Sequence, residues 1–67
     1  MGEVESATEY YIAAAFALLD DAEHAVKHLE AAVSKQVRNR RRAANDPDFE
    51  GIRPALSALG LIEEVPA

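Results

Sequence analysis

The sequence predicts an all-α fold, in which an antiparallel helical hairpin is followed by a broken helical segment that packs on it. Residues 10–19, YYIAAAFALL, form an unbroken apolar run. Apolar residues then recur at the helical period over residues 22–33. Between these segments, Asp20 and Glu23 form a D-x-x-E pattern, which is typical of a helix start. We therefore expect two helices joined by a tight turn at Asp20 and Asp21.

The chain is short and acidic, with 67 residues, a formal net charge of −5 and no cysteine. Domains of this size bury only about 60% of their unfolded surface, so stability depends on good helix packing or on a partner. The apolar run is shorter than the ~18 to 20 residues that span a bilayer. The first residues, MGEVES, are acidic where a secretory leader is basic. We expect a cytoplasmic protein that does not bind membranes.

The first helix is predicted to begin at Ala7, which leaves residues 1–6 as an N-terminal extension. Ser6 and Glu9 form S-x-x-E ahead of the apolar run, the capping-box pattern in which each side chain bonds the other residue's backbone N–H. Gly2 and Ser6 also fit the pattern for N-myristoylation. We favour the cap.

This first helix is predicted to be apolar on two faces. The face assigned to the hairpin interior contains Ile12, Phe16 and Leu19. The other face contains Tyr11, Ala15 and Leu18. Because one partner helix covers only one side, the second face requires another neighbour.

The second helix is predicted to be amphipathic and to complete a hairpin over residues 7–36. Its apolar stripe contains Ala22, Ala25, Val26, Leu29, Ala32 and Val33. His24 and His28 lie off this stripe at the i, i+4 spacing that two metal ligands need. HAVKH lacks the glutamate of H-E-x-x-H, and no third ligand is evident. We expect exposed polar histidines, no metal and no cofactor.

From Tyr10 to Val33 the sequence resembles a tetratricopeptide (TPR) repeat. In its first helix, Ile12 and Ala13 stand where the family has a Leu-Gly pair, and Phe16 takes the aromatic position. The small, large and small positions of the second helix are matched by Ala25, Leu29 and Ala32. Glu9 departs from the pattern, because a tryptophan or another large apolar residue is common there.

The TPR resemblance implies a neighbour for the second face of the first helix. In a repeat stack, each first helix packs between its own second helix and an adjacent repeat. We expect the partner to contact Tyr10, Tyr11, Ala15 and Leu18. The tyrosines can line a groove, or simply pack with their hydroxyls at its rim.

Residues 46–62 are predicted to form short C-terminal helices, and residues 63–67 to fray. Asp46 and Pro47 form an N-cap followed by proline at the first helical position, and Gly60 closes the turn that Pro54 begins. The apolar positions expected to dock on the hairpin are Phe49, Ile52, Leu56 and Leu59. The segment DPDFEGIRP also resembles the end of some TPR arrays, which implies a C-terminal end-piece.

Residues 37–45 are predicted to be a basic connector. Five of the seven basic residues cluster around it: Lys35, Arg38, Arg40, Arg41 and Arg42. They can form a solvated helix end, contact nucleic-acid phosphates, or bind an acidic protein partner. The net charge of −5 and the lack of interleaved aromatic residues favour the first interpretation.

Residues suited to catalysis are few, so we expect no enzyme activity. Ser34 and Ser57 have no evident triad partners, and three glycines do not form a phosphate loop. The leading function is a non-catalytic protein–protein interaction module that binds a peptide, a helix or a second copy through a helix-lined apolar surface. A homo-oligomer is expected if the 67 residues are the whole protein. The alternatives are a small regulatory nucleic-acid-associated protein using the Lys35 to Arg42 cluster, and an accessory subunit of an enzyme.

Overall fold

The computed structural model describes residues 2–62, with side chains described from Glu5 onward. Within these residues, four α-helices and one 3-10 helix follow in chain order: α1 (Gly2–Leu18), α2 (Ala22–Lys35), α3 (Asn39–Ala44), the 3-10 helix η1 (Pro47–Ile52) and α4 (Arg53–Ala58). Helices α1 and α2 pack as a hairpin, and η1 packs on α1. Within residues 2–62 there is no strand. The all-α prediction is therefore confirmed.

Helix α1 begins at Gly2, so the prediction of an N-cap at Ser6 and an extension over residues 1–6 is wrong. Ser6 lies inside the helix and is buried. It shares a small cavity with Gln36 and Asn39 at the end of α2 and the start of α3. Because the Ser6 side chain is buried, it packs inside the fold and does not serve as the predicted cap.

The buried side of α1 is formed by small residues and one tyrosine. Its buried residues are Tyr10, Ala13, Ala14 and Ala17. The predicted interior face is wrong in register, because Leu19 is 74% exposed and Ile12 and Phe16 are only partly buried. Alanine lets two helix axes approach closely, so the large side chains lie at the edges of the contact.

The predicted stripe of α2 is confirmed at its central positions. Ala25, Leu29 and Ala32 are completely buried, and Val26 and Val33 pack against the core from its margin. This side of α2 faces the alanines of α1, which makes the hairpin contact rich in small side chains.

The turn between the helices lies at Asp20 and Asp21, as predicted, but the two aspartates have different roles. Asp20 adopts a left-handed conformation with φ 61°. Its N–H donates to the Ala17 carbonyl at 3.0 Å, and the Asp21 N–H donates to the Phe16 carbonyl at 2.9 Å, which is a Schellman arrangement. Asp21, rather than the predicted Asp20, caps α2 by accepting the His24 N–H at 3.2 Å. This hydrogen bond lowers the pKa of the Asp21 carboxyl.

Replacing Asp20 with glycine is expected to stabilise the fold by about 1 kcal/mol, because glycine reaches the left-handed conformation without a Cβ clash. Thermal denaturation followed by circular dichroism measures the change. Asp20→Ala is the control, since it shortens the side chain and keeps the Cβ atom, and it should give no gain. A lower melting temperature for Asp20→Gly than for the wild type would contradict this account of the turn.

The C-terminal segment folds back on the hairpin through buried apolar side chains of η1, α4 and the residues that follow. These are Phe49, Ile52, Leu56, Leu61 and Ile62. The prediction that Leu59 docks with them is wrong, because it is 61% exposed at the C-cap of α4.

The predicted ends of the C-terminal helices are confirmed. Asp46 caps η1 by accepting the Asp48 N–H at 3.0 Å, and Pro47 occupies the first turn. Gly60, with φ 70°, ends α4, and the Leu61 N–H donates to the Leu56 carbonyl at 2.9 Å. The predicted fraying of residues 63–67 lies outside the described residues. No helix in the described range is long and apolar enough to cross a bilayer.

Candidate interaction surface and arginine cavity

A stripe of apolar residues on α1 and directly after it is left uncovered by the other parts of the chain that the structure describes, residues 2–62. We name it the outer face, and it contains Tyr11, Ala15, Leu18 and Leu19. Tyr11 is 61% exposed, Leu18 66% and Leu19 74%, and Ala15 is also exposed. Tyr11, Ala15 and Leu18 follow the helical period and share one side of α1. Leu19 directly follows the helix, and its N–H donates to the Ala15 carbonyl at 3.2 Å. Three of the four residues predicted to contact a partner therefore lie at the surface, and Leu19 joins them.

The prediction that Tyr10 contacts a partner is wrong, because this residue is only 1% exposed. Its hydroxyl donates to Oδ2 of Asp46 at 2.6 Å, and its ring meets Phe49 edge to face at 5.4 Å between centroids. Burial and the hydrogen bond to the carboxylate raise the pKa of Tyr10 above its usual range. Tyr10 thus connects α1 to the C-terminal segment and belongs to the core.

Arg42 lies between the two tyrosines and adjoins the outer face. Its guanidinium carbon is 4.2 Å from the centre of the Tyr10 ring and 5.5 Å from that of Tyr11, both within cation–π distance. The guanidinium also donates a long hydrogen bond of 3.5 Å to the Tyr11 hydroxyl, which raises the pKa of Arg42. A positive charge is therefore fixed beside the Tyr11 end of the outer face.

The predicted basic connector is mostly helical, because α3 occupies Asn39–Ala44. Asn39 and Ala43 are buried, and the Asn39 amide donates to the Ala32 carbonyl at 3.0 Å. This polar anchor, which joins α3 to α2, was not identified from the sequence. Because Asn39 and Ala43 occupy the buried side of α3, Arg41 and Arg42 lie on its exposed side.

Four of the five predicted basic residues line one surface cavity, which we name the arginine cavity. It has a volume of about 500 Å³ and is lined by Val37, Arg38, Arg40, Arg41, Arg42 and Asn45. None of these lining residues carries a negative charge. Lys35 lies apart from them and pairs with Glu5 at 3.6 Å. The predicted basic cluster is thus divided into Lys35, which forms an ion pair, and the four arginines of the arginine cavity.

Both histidines contact neighbouring side chains, whereas the sequence predicted only exposed polar residues. The rings of His24 and His28 both stack on Phe16, with centroid distances of 4.9 and 5.6 Å. Nδ1 of His28 lies 3.0 Å from Oε2 of Glu9, and Nδ1 of His24 lies 2.9 Å from Oδ2 of Asp21. Glu9, which departs from the TPR pattern, thus pairs with α2. Among the described residues no three acidic or histidine side chains form a group that could hold a metal ion.

Comparisons with protein-family models, curated proteins and solved structures found no match to this chain. The resemblance to a TPR repeat therefore stays a prediction. The structure defines the fold class as all-α, with a helical hairpin followed by short C-terminal helices.

Proposed function

We propose that this protein is a non-catalytic protein-interaction module, in which the outer face of α1 binds a helix. The proposed partner is α1 of a second copy, and the proposed setting is the cytoplasm. The observation that carries the proposal is the exposure of Tyr11 and Leu18 on one face of α1 and of Leu19 directly after it. The TPR resemblance supports it, because that family covers its first helices from two sides.

The outer face is distinct from the residues that hold the hairpin together. Contact with α2 uses the opposite, alanine-rich side of α1, and the C-terminal segment is anchored through Tyr10. Burying Leu18 and Leu19 against a partner would remove two large aliphatic side chains from water, which favours association. Apolar residues that fill the centre of a surface patch are typical of protein interfaces.

The arrangement of charge supports a second copy as the partner. Arg42 lies beside Tyr11 at one end of the outer face, and Asp20 directly follows Leu19 at the other. If two α1 helices pack antiparallel about a twofold axis at Ala15, Arg42 of each copy approaches the end of the outer face that carries Asp20 in the other copy. Ala15 at the axis permits close packing of the two helices. A twofold interface uses the same patch on both copies, and the proposed dimer would do so through the outer face.

The small number of large apolar residues on the outer face, Tyr11, Leu18 and Leu19, leads us to expect reversible association. A stable interface of standard size covers about 800 Å² on each partner, roughly a fifth of the 4351 Å² surface of this chain. The outer face fills the centre of such a patch, and the rim must come from neighbouring polar side chains.

Sedimentation velocity of the wild type over a wide concentration range tests this function. The expected result is a sedimentation coefficient that rises with concentration from the monomer value toward that of a dimer. Species that remain monomeric at the highest concentrations used would contradict self-association.

A further inference from the structure

We propose that the arginine cavity of each copy receives the Leu19 side chain of the other copy in the dimer. The inference rests on the proposed function, because it requires self-association through the outer face, and it adds the place where one end of that face packs. Every chain carries both the cavity and Leu19, so a twofold dimer contains the contact twice.

The interior of the arginine cavity suits an aliphatic side chain. Its lining is mostly apolar, although its described residues other than Val37 are arginines and an asparagine. The apolar atoms therefore belong largely to Val37 and to the carbon stems of the arginines, whose charge is confined to the end of the side chain. Val37 is 69% exposed, and the volume of about 500 Å³ is ample for a leucine side chain.

Leu19 has the position and exposure of a side chain that fills such a cavity. At 74% it is the most exposed large apolar residue that the structure describes. It directly follows α1 and precedes Asp20, whose backbone is left-handed, so it lies at the turn of the hairpin. A leucine at this turn is removed from water only by a partner, and its burial favours association.

The arginine cavity and Leu19 lie at opposite ends of the hairpin, so their contact forms between copies and not within one chain. Leu19 precedes α2 and Val37 follows it. The 14 residues of α2 separate the two ends by about 20 Å. Antiparallel packing of two α1 helices brings the turn of one copy toward the open end of the other. Arg42, which lines the cavity, connects that end to the outer face through Tyr11.

The charges around the cavity and around Leu19 have opposite signs. Asp20 and Asp21 directly follow Leu19, whereas four arginines and no acidic residue are among the described residues that line the cavity. Their attraction requires no direct hydrogen bond, because charges act over roughly 8 to 10 Å at ordinary salt. It favours the antiparallel arrangement, since a parallel one would place like charges together.

The contact also enlarges an interface that the outer face alone leaves small. Tyr11, Leu18 and Leu19 are the large exposed apolar residues of that face. Two seated leucines, one at each end of the twofold interface, extend the buried surface onto α3 of both copies. This extension brings the interface closer to the standard size of about 800 Å² on each partner.

Sedimentation velocity on Val37→Gln tests the contact. The substitution places a polar group in the cavity, and the fold should be retained because Val37 is exposed. The dissociation constant of the dimer is expected to rise about tenfold. Leu59→Gln is the matched control, since it makes an exposed apolar residue at the C-cap of α4 polar, and it should leave the dissociation constant unchanged.

The outcomes separate this inference from the proposed function. A dimer of Val37→Gln as stable as that of the wild type would overturn the contact and leave self-association through the outer face standing. Equal weakening by Val37→Gln and Leu59→Gln would also overturn the contact. A monomeric wild type would remove both proposals. Circular dichroism checks that each variant is folded, and Val37→Ala replaces Val37→Gln if the latter is not.

A double-mutant cycle shows whether Leu19 and Val37 meet across the interface. Leu19→Gln should itself weaken the dimer at least about tenfold. If Leu19 of one copy packs on Val37 of the other, the double variant should be about as weak as Leu19→Gln alone, because either change removes the contact. The two residues are too far apart within one chain to couple there. Losses that multiply in the double variant would overturn the proposal.

Discussion

Replacing Phe49 with alanine is expected to unfold the protein at room temperature. Phe49 is completely buried in η1 and meets the ring of Tyr10, which joins the C-terminal segment to α1. Removing a buried phenylalanine side chain costs about 3 to 5 kcal/mol. The whole stability of a chain of this length is roughly 3 to 10 kcal/mol, so the loss takes most of it. Circular dichroism during urea denaturation measures the effect.

The second phenylalanine of the chain provides the matched control. Phe16 is only partly buried at the edge of the hairpin, where it stacks on His24 and His28. Phe16→Ala deletes the same atoms and should leave a cooperative, folded protein with a smaller loss of stability. If Phe16→Ala proved the more damaging substitution, the assignment of the core to Tyr10 and Phe49 would be incorrect.

Replacing Leu18 with glutamate is expected to abolish self-association and to leave the helical fold intact. The side chain is 66% exposed in the described fold, so a carboxylate at this position remains in water in the monomer. In the proposed dimer the same carboxylate would be buried in the apolar centre of the interface, where an unpaired charge is strongly unfavourable. Light scattering reports the change in mass, and circular dichroism reports the retained helix.

Leu59→Glu is the matched control for the Leu18 substitution. Leu59 is 61% exposed at the C-cap of α4, and the substitution introduces the same charge at a site away from α1. It should leave the concentration dependence of association unchanged. Equal loss of association in the two variants would point to net charge, and not to the outer face, as the cause.

The parts of the fold that were predicted correctly depend on local chemistry. The cap at Asp46 and the turn at Gly60 act through hydrogen bonds within a few residues, and Pro47 acts by fixing its own backbone angle at the start of η1. The stripe of α2 was also readable, because polar residues separate its apolar positions at a clear helical period. Such features are encoded in adjacent residues and require no knowledge of distant contacts.

The features that the sequence did not reveal depend on contacts between distant residues. Every residue from position 10 to 19 is apolar, so periodicity does not distinguish the buried side of α1 from the outer face. The hydrogen bond from Tyr10 to Asp46 joins residues 36 positions apart, and that of Arg42 to Tyr11 spans 31 positions. These contacts bury Tyr10 and hold Arg42 against α1, and neither contact has a signal in the local pattern.

The most direct test of the central claim is oxidative crosslinking through a single cysteine at position 15. The chain has no cysteine of its own, so Ala15→Cys introduces a unique thiol at the centre of the outer face. A disulfide needs Cα atoms about 4.4 to 6.8 Å apart, a separation that closely packed antiparallel helices provide at a twofold axis. Glu30→Cys places a thiol on the exposed side of α2 and serves as the reference. The account predicts that Ala15→Cys forms a covalent dimer much faster than Glu30→Cys under mild oxidation, and equal rates for the two variants would contradict it.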